Sequence, residues 1–105
     1  MRRYPLPPIR RRRPQLTEEA KAYARTVAML AKADGQRSLT GPVAVTIAVH
    51  RGRHVGDLVD FVAAVATALA GVLYGSEAQI RTMTATLEDD RHETPRVEVE
   101  IISCR

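Results

Sequence analysis

Apolar residues recur at helical spacing from Ala20 through Tyr23, Ala24, Val27 and Leu30 to Ala31, which predicts an amphipathic helix with one buried face. Thr17 offers an N-cap, Glu18 and Glu19 suit the positive end of the helix dipole, and Asp34-Gly35 marks the stop. After Gly41-Pro42 the rhythm shortens to two. Val43, Val45, Ile47 and Val49 alternate with Ala44, Thr46 and Ala48, the period of a strand. Neither set is charged before His50, so this strand is expected to be central and covered on both faces. Arg51 to Gly56 reads as a loop. Leu58 to Tyr74 is apolar and alanine-rich and predicts a second helix, buried against the sheet and broken by Gly75-Ser76. Met83, Ala85 and Leu87 then alternate with Thr82, Thr84 and Thr86, and Val97, Val99 and Ile101 with Glu98 and Glu100. These last two strands, joined by a polar stretch from Glu88 to Pro95, are expected to form an antiparallel hairpin with one wet face.

The predicted order is helix, strand, helix, strand, strand, with a short N-terminal strand admitted: an α+β domain with a small mixed sheet and two main helices. At 105 residues it is one domain, and 45% apolar residues are enough to build a core. The apolar run from Leu58 carries Asp60 and is rich in weakly hydrophobic alanine, which argues against a membrane span. A lone cysteine, Cys104, excludes an intrachain disulfide, and prolines interrupt the one apolar patch near the start. Both features fit an intracellular, cytoplasmic protein.

Charge changes the picture. The net charge is +4, yet Arg2, Arg3, Arg10, Arg11, Arg12 and Arg13 all lie in the first fourteen residues, leaving ten basic against twelve acidic side chains elsewhere. The chain reads as an extended, arginine-rich arm over residues 1–14 and a nearly neutral body over 15–105. An arginine run suits a polyanion, since each guanidinium can grip phosphate oxygens and release counterions.

Candidate chemistry gathers after the first main strand. Arg51 and Arg53 lie in the loop, Asp57 and Asp60 open the next helix three residues apart, and Glu77 follows that helix. If the strand after Glu77 runs beside the first, Glu77 is expected to return to Asp57. Three carboxylates bordered by arginines could hold Mg²⁺ or Mn²⁺ against a phosphodiester. His50 and His54 with Asp57 form a weaker zinc alternative, on a strand-to-loop segment where polar loop histidines are the simpler reading. Glu88-Asp89-Asp90 reads as a solubilising run at a hairpin tip, and His92 as a solvated side chain. The chain has no phosphate-cradling glycine loop, no nucleophile motif and no dinucleotide fingerprint, and the tyrosines are too scattered to form a base-stacking platform.

Several segments resemble RusA-type crossover junction endodeoxyribonucleases. Leu16 to Tyr23 resembles their first helix, and Gly41-Pro42-Val43-Ala44-Val45 the strand that leads to their active site. Gly56-Asp57-Leu58-Val59-Asp60-Phe61 stands where the family has Asp-x-Asp-Asn. Ser76-Glu77-Ala78-Gln79-Ile80 stands where it has Asp-Asp-(Ala/Ser)-Gln-(Val/Ile). The resemblance covers nearly the whole chain in order. It implies a RusA-like α+β fold, a homodimer, and Mg²⁺-dependent nicking of four-way DNA junctions in recombination and repair. No membrane and no small-molecule cofactor are implied. In this reading Asp57 matches the family's first metal-binding aspartate, Glu77 takes the place of its later catalytic aspartate, and Asp60 supplies the missing charge, so that the three would form the catalytic, metal-holding set. Val59 replaces the second aspartate, and Ala63 stands where some members carry a lysine. Those departures keep a second reading open: a relative that binds branched DNA without cutting it.

Overall fold

The structure, a computed structural model, describes residues 2–9, 18–54, 56–89 and 94–104. The elements follow the order β1 (Arg2–Tyr4), α1 (Glu18–Ala33), β2 (Val43–His50), α2 (Leu58–Leu69), β3 (Ile80–Glu88) and β4 (Arg96–Ser103), with a 3₁₀ turn over Glu77–Gln79. Four strands form one mixed sheet in the order β1-β4-β2-β3. The fold is therefore α+β with two helices, as the patterning predicts, and the short N-terminal strand is present. Residues 2–4 belong to the sheet, so the body begins before residue 15.

Why the chain divides into two layers follows from the register. Val43, Val45, Ile47 and Val49 are fully buried. Met83, Ala85 and Leu87 lie beside the last three of them on β3, and Ile101, Val99 and Val97 on β4. Tyr23, Val27 and Ala31 of α1 and Phe61, Val65, Ala68 and Leu69 of α2 close over this face. Burial of a side chain of this size contributes on the order of 2 kcal/mol, and these rows make the one core of the domain.

Two expectations about the sheet are corrected. Among the described residues β2 is central but covered by helices on one face only, and residues 44, 46, 48 and 50 are only half-buried. They owe that shielding to neighbouring side chains within the sheet, Thr82, Thr84, Thr86 and Glu88 on β3 and Ile102, Glu100, Glu98 and Arg96 on β4. Nor do β3 and β4 form a hairpin. β2 lies between them, parallel to β3 and antiparallel to β4. A strand that follows a crossover helix returns beside its predecessor running the same way, which makes β3 parallel. The remaining strand then takes β2's other edge. The wet face holds: Thr82, Thr84 and Thr86 lie on the open side with Glu98 and Glu100.

The second helix is shorter than its apolar run. It stops at Leu69, Ala70 turns extended, and Gly71 takes φ 84°. The chain then folds back so that Tyr74, fully buried, donates its hydroxyl to Ala66 O at 2.7 Å. Burial, and next the charge of Glu77, push that phenol well above its ordinary pKa, so it stays a donor. Ser76 opens the 3₁₀ turn through a capping box with Gln79. Among the described residues no helix is long and apolar enough to cross a membrane.

Tyr74→Phe tests this fold-back. Ala66 O keeps its bond from Ala70 N at 3.2 Å, so only the phenol bond is lost. The expected cost is about 1 kcal/mol, read as a drop in thermal midpoint of roughly 4–8 °C for a domain of this size.

Candidate nucleic-acid interface

The direction of each strand decides what meets at each end of the sheet. β1 is antiparallel to β4, as is β2, so β1 and β2 run the same way. Tyr4 thus ends β1 beside Val97, at the end of the sheet where β2 closes with His50 against Arg96. The chain beyond Tyr4 is held there. Tyr23 donates its hydroxyl to Pro5 O at 2.6 Å, and Leu6 and Ile9 pack on the core.

Gly56 joins this segment to the loop after β2. It takes φ 150°, and a Cβ built there would lie 2.7 Å from Phe61 Cζ and 3.5 Å from Ile9 Cγ1. Phe61 and Ile9 therefore close on bare backbone, where any side chain would force the aromatic ring out. Ile9, the residue before the arginine run, is thus seated against the residue before Asp57. Arg10, Arg11, Arg12 and Arg13 themselves lie outside the described residues, as do Thr17, Asp90 and His92.

Within the loop the two arginines differ. Arg51 donates to Gly56 O at 3.0 Å and pairs with Asp89 at 3.1 Å, so it is occupied in holding the loop. Asp89 is thereby a structural partner as well as part of a charge run, and no hairpin tip exists for it to sit on. Arg53 and His54 are exposed, and Arg53 has no ion-pair partner among the described residues.

Asp57 and Asp60 occupy the N-cap and third positions of α2, and both are exposed. Asp-x-x-Asp has the spacing of a capping box, yet the Asp57 side chain makes no cap bond. Neither carboxylate has a partner among the described residues, in contrast to Ser76 and Gln79, which complete theirs. Both acids remain available for a ligand.

Glu77 is not brought to them. Its carboxylate lies 3.4 Å from Thr67 Oγ1, on the tenth residue after Asp57 and roughly 15 Å along the helix axis. The parallel pairing is the reason: β3 starts beside the start of β2, Ile80 against Val43, while Asp57 follows the end of β2. The three-carboxylate magnesium site expected from the sequence is thus not assembled within one chain. Among the described residues no group of three His, Cys, Asp or Glu side chains is placed to hold a metal ion. The zinc alternative fails with it: His50 Nε2 lies 2.9 Å from Glu98 Oε1 on the open face.

The motif around Glu77 has a structural role that patterning did not reveal. Gln79 accepts from Gly75 N and Ser76 N at 2.7 and 3.0 Å and donates to Leu39 O and Gly41 O at 3.0 and 2.8 Å. It ties the entry of β3 to the entry of β2. A second cluster also went unforeseen. Glu98 meets His50, Arg3 at 3.2 Å and Arg96 at 3.7 Å on the open face. Arg3 and His50 are far from Glu98 in sequence, so only the register could have shown it.

Burial pushes the Glu98 carboxyl up, but the His50 hydrogen bond and the charges of Arg96, His50 and Arg3 outweigh it, and the net shift is downward. A carboxyl lowered in the folded state stabilises above its unfolded pKa and loses that contribution as pH falls through the folded value. The thermal midpoint is therefore expected to fall as pH drops through and below the ordinary carboxylate range, and Glu98→Gln to flatten that slope. An unchanged slope in the variant would show that other acids govern the acid limb.

Compared with known proteins, the chain matches no family model and no curated protein. The resemblance to RusA-type endonucleases rests on its motifs and their order.

Proposed function

We propose that this chain is a RusA-like domain that binds branched DNA, gripping phosphates at the end of the sheet where β1 and β2 finish. The observation that carries this reading is the seating of Ile9 near Gly56. That contact holds Ile9, the residue before the arginine run, against the loop that carries exposed Arg53 and leads into α2. A run that starts there can share one surface with the loop cation, which suits two closely spaced phosphodiester backbones better than isolated surface charges would.

Binding of a four-way junction and of plain duplex, followed by fluorescence anisotropy across a salt series, tests it. Replacing Arg10 to Arg13 with alanine is expected to weaken binding to both shapes and to flatten the log–log salt slope by up to about 4. Arg53→Ala should remove about 1 from the same slope. Slopes unchanged in both variants would remove the phosphate contacts on which the reading depends.

A second reading, a Mg²⁺-dependent nuclease, is favoured by the unspent carboxylates of Asp57 and Asp60. Mg²⁺ often needs only one or two carboxylates, completing its shell with water and phosphate oxygens, so this pair fits the ion where the triad does not. When bound, the ion would lower the pKa of an attacking water and stabilise charge on the phosphate. Asp57 and Asp60 would hold it, and Arg53 would neutralise a flanking phosphate. Glu77 could join them only from a second chain. Incubation of labelled four-way junctions with the protein and Mg²⁺ or Mn²⁺ separates the readings. Nicking that Asp57→Asn abolishes, with binding retained, establishes the nuclease. Binding without nicking leaves the first reading alone.

A further inference from the structure

The end of the sheet away from the Arg53 loop carries a cleft of about 470 Å³. It lies where β4 outruns β1. β4 pairs with β2 as far as Ser103 against Val43, but with β1 only up to Val99 against Arg2. Cys104 N donates to Pro42 O at 2.8 Å. An antiparallel ladder alternates, so Glu100 and Ile102 turn their backbone groups to β2, while Ile101 and Ser103 turn theirs outward. Those outward groups have no partner among the described residues. They form a short open strand edge beside the cleft.

The walls of the cleft are fixed by backbone bonds. α1 ends in a Schellman motif, in which Gly35 takes φ 71° and Gly35 N and Gln36 N donate to Lys32 O and Ala31 O. That turn sets Gln36 and Arg37 on one wall. Leu39 N donates to Leu73 O at 2.8 Å, and both leucines line the cleft with Ile101. Arg2 stands where β1 begins. Its partner is Asp34, at 3.8 Å with both side chains half in solvent, and Arg37 has no partner among the described residues. Glu100 is the one acid among the lining residues, so the two arginines leave the lining with a net positive charge of one.

We propose that this cleft takes the C-terminal segment of another protein as an added strand on β4, with an apolar last residue and a free carboxylate. β1 fixes the direction. It occupies the same edge of β4 from Arg2 onward, so a guest in its line must stop there. A guest running as β1 does brings its carboxylate to Arg2 and Arg37, whereas the reverse would set an ammonium against two guanidinium groups. Its last residue falls opposite Ile101. That places the side chain on the helix side with Leu39 and Leu73, and lets its N–H and C=O pair with those of Ile101. One carboxylate matches the net charge of the lining. The proposal stands apart from the nucleic-acid reading, whose surface lies at the opposite end of the sheet.

Fluorescein-labelled pentapeptides Ser-Thr-Val-Thr-X, with X leucine, valine, isoleucine or phenylalanine, test this by anisotropy against the full chain. At least one free acid is expected to bind, and its C-terminal amide about tenfold more weakly. N-methylation of residue X should abolish binding, because that N–H meets Ile101 O. N-methylation of the threonine before it, whose N–H points away from β4, should leave binding intact. Arg37→Ala, on an exposed loop and shown to be folded by circular dichroism, is expected to weaken the free acid about tenfold. Failure of every free acid at millimolar concentration, an amide that binds as well as its acid, equal effects of the two N-methylations, or an unchanged affinity in Arg37→Ala overturns the proposal. So does N-acetyl-leucine binding as tightly as the peptide, which would make the cleft a site for a small carboxylic acid. Peptide binding by a protein that ignores DNA overturns only the nucleic-acid reading.

Discussion

The crossover from β2 through α2 to β3 runs one way, and its direction governs where chemistry can gather on this domain. Parallel pairing sends the chain back to the starting edge of β2 before β3 begins. Residues in the loop after β2 and residues in the turn before β3 are therefore held at opposite ends of a helix of twelve residues. Gln79 fixes the second of these ends through four hydrogen bonds to the segments around Leu39 and Gly75. Gly56 fixes the first by letting Phe61 and Ile9 close on bare backbone. Between these two points the carboxylates of Asp57 and Glu77 have no freedom to meet.

The one-sided covering of the sheet is the second organising fact. Both helices lie on the face of Val43, Val45, Ile47 and Val49, and the other face keeps threonine, alanine and a charged cluster about Glu98. Small side chains on β2 are shielded by their neighbours within the sheet and need no second helical layer. Glu98, with His50, Arg3 and Arg96 around it, spans three strands and welds β1 and β2 to β4 from the solvent side. The two faces thus stabilise the sheet by different means: apolar burial on one, ionic contacts on the other.

Local periodicity was enough to find α1, β2, α2, β3 and β4 in this chain, because each carries its own rhythm of apolar residues. It could not show which strand pairs with which. The alternation of Val97, Val99 and Ile101 looks the same whether β4 neighbours β3 or lies across β2 from it, and the polar stretch between them is long enough for either. Glu77 was misplaced for that reason alone, since its distance from Asp57 depends on the strand order and not on spacing. The end of α2 was hidden differently: residues 70–74 stay apolar because Leu73 and Tyr74 return to the core, so composition does not change where the helix stops. Arg51 shows a third limit. In sequence it is another loop cation, and only its contacts with Gly56 and Asp89 distinguish it from Arg53.

The place of β1 has a consequence for how the molecule is made. Its three residues pair with Val97, Glu98 and Val99, so the first strand of the sheet in chain order has its partners in the last. Closing so long a loop is slow compared with forming α1 or the β2–α2–β3 unit, which draw on nearer neighbours. Tyr4, nearly fully buried in the finished domain, must wait in solvent until β4 has been made. The segment from Pro5 to Ile9, which follows β1, is therefore set late, once β4 has joined the sheet.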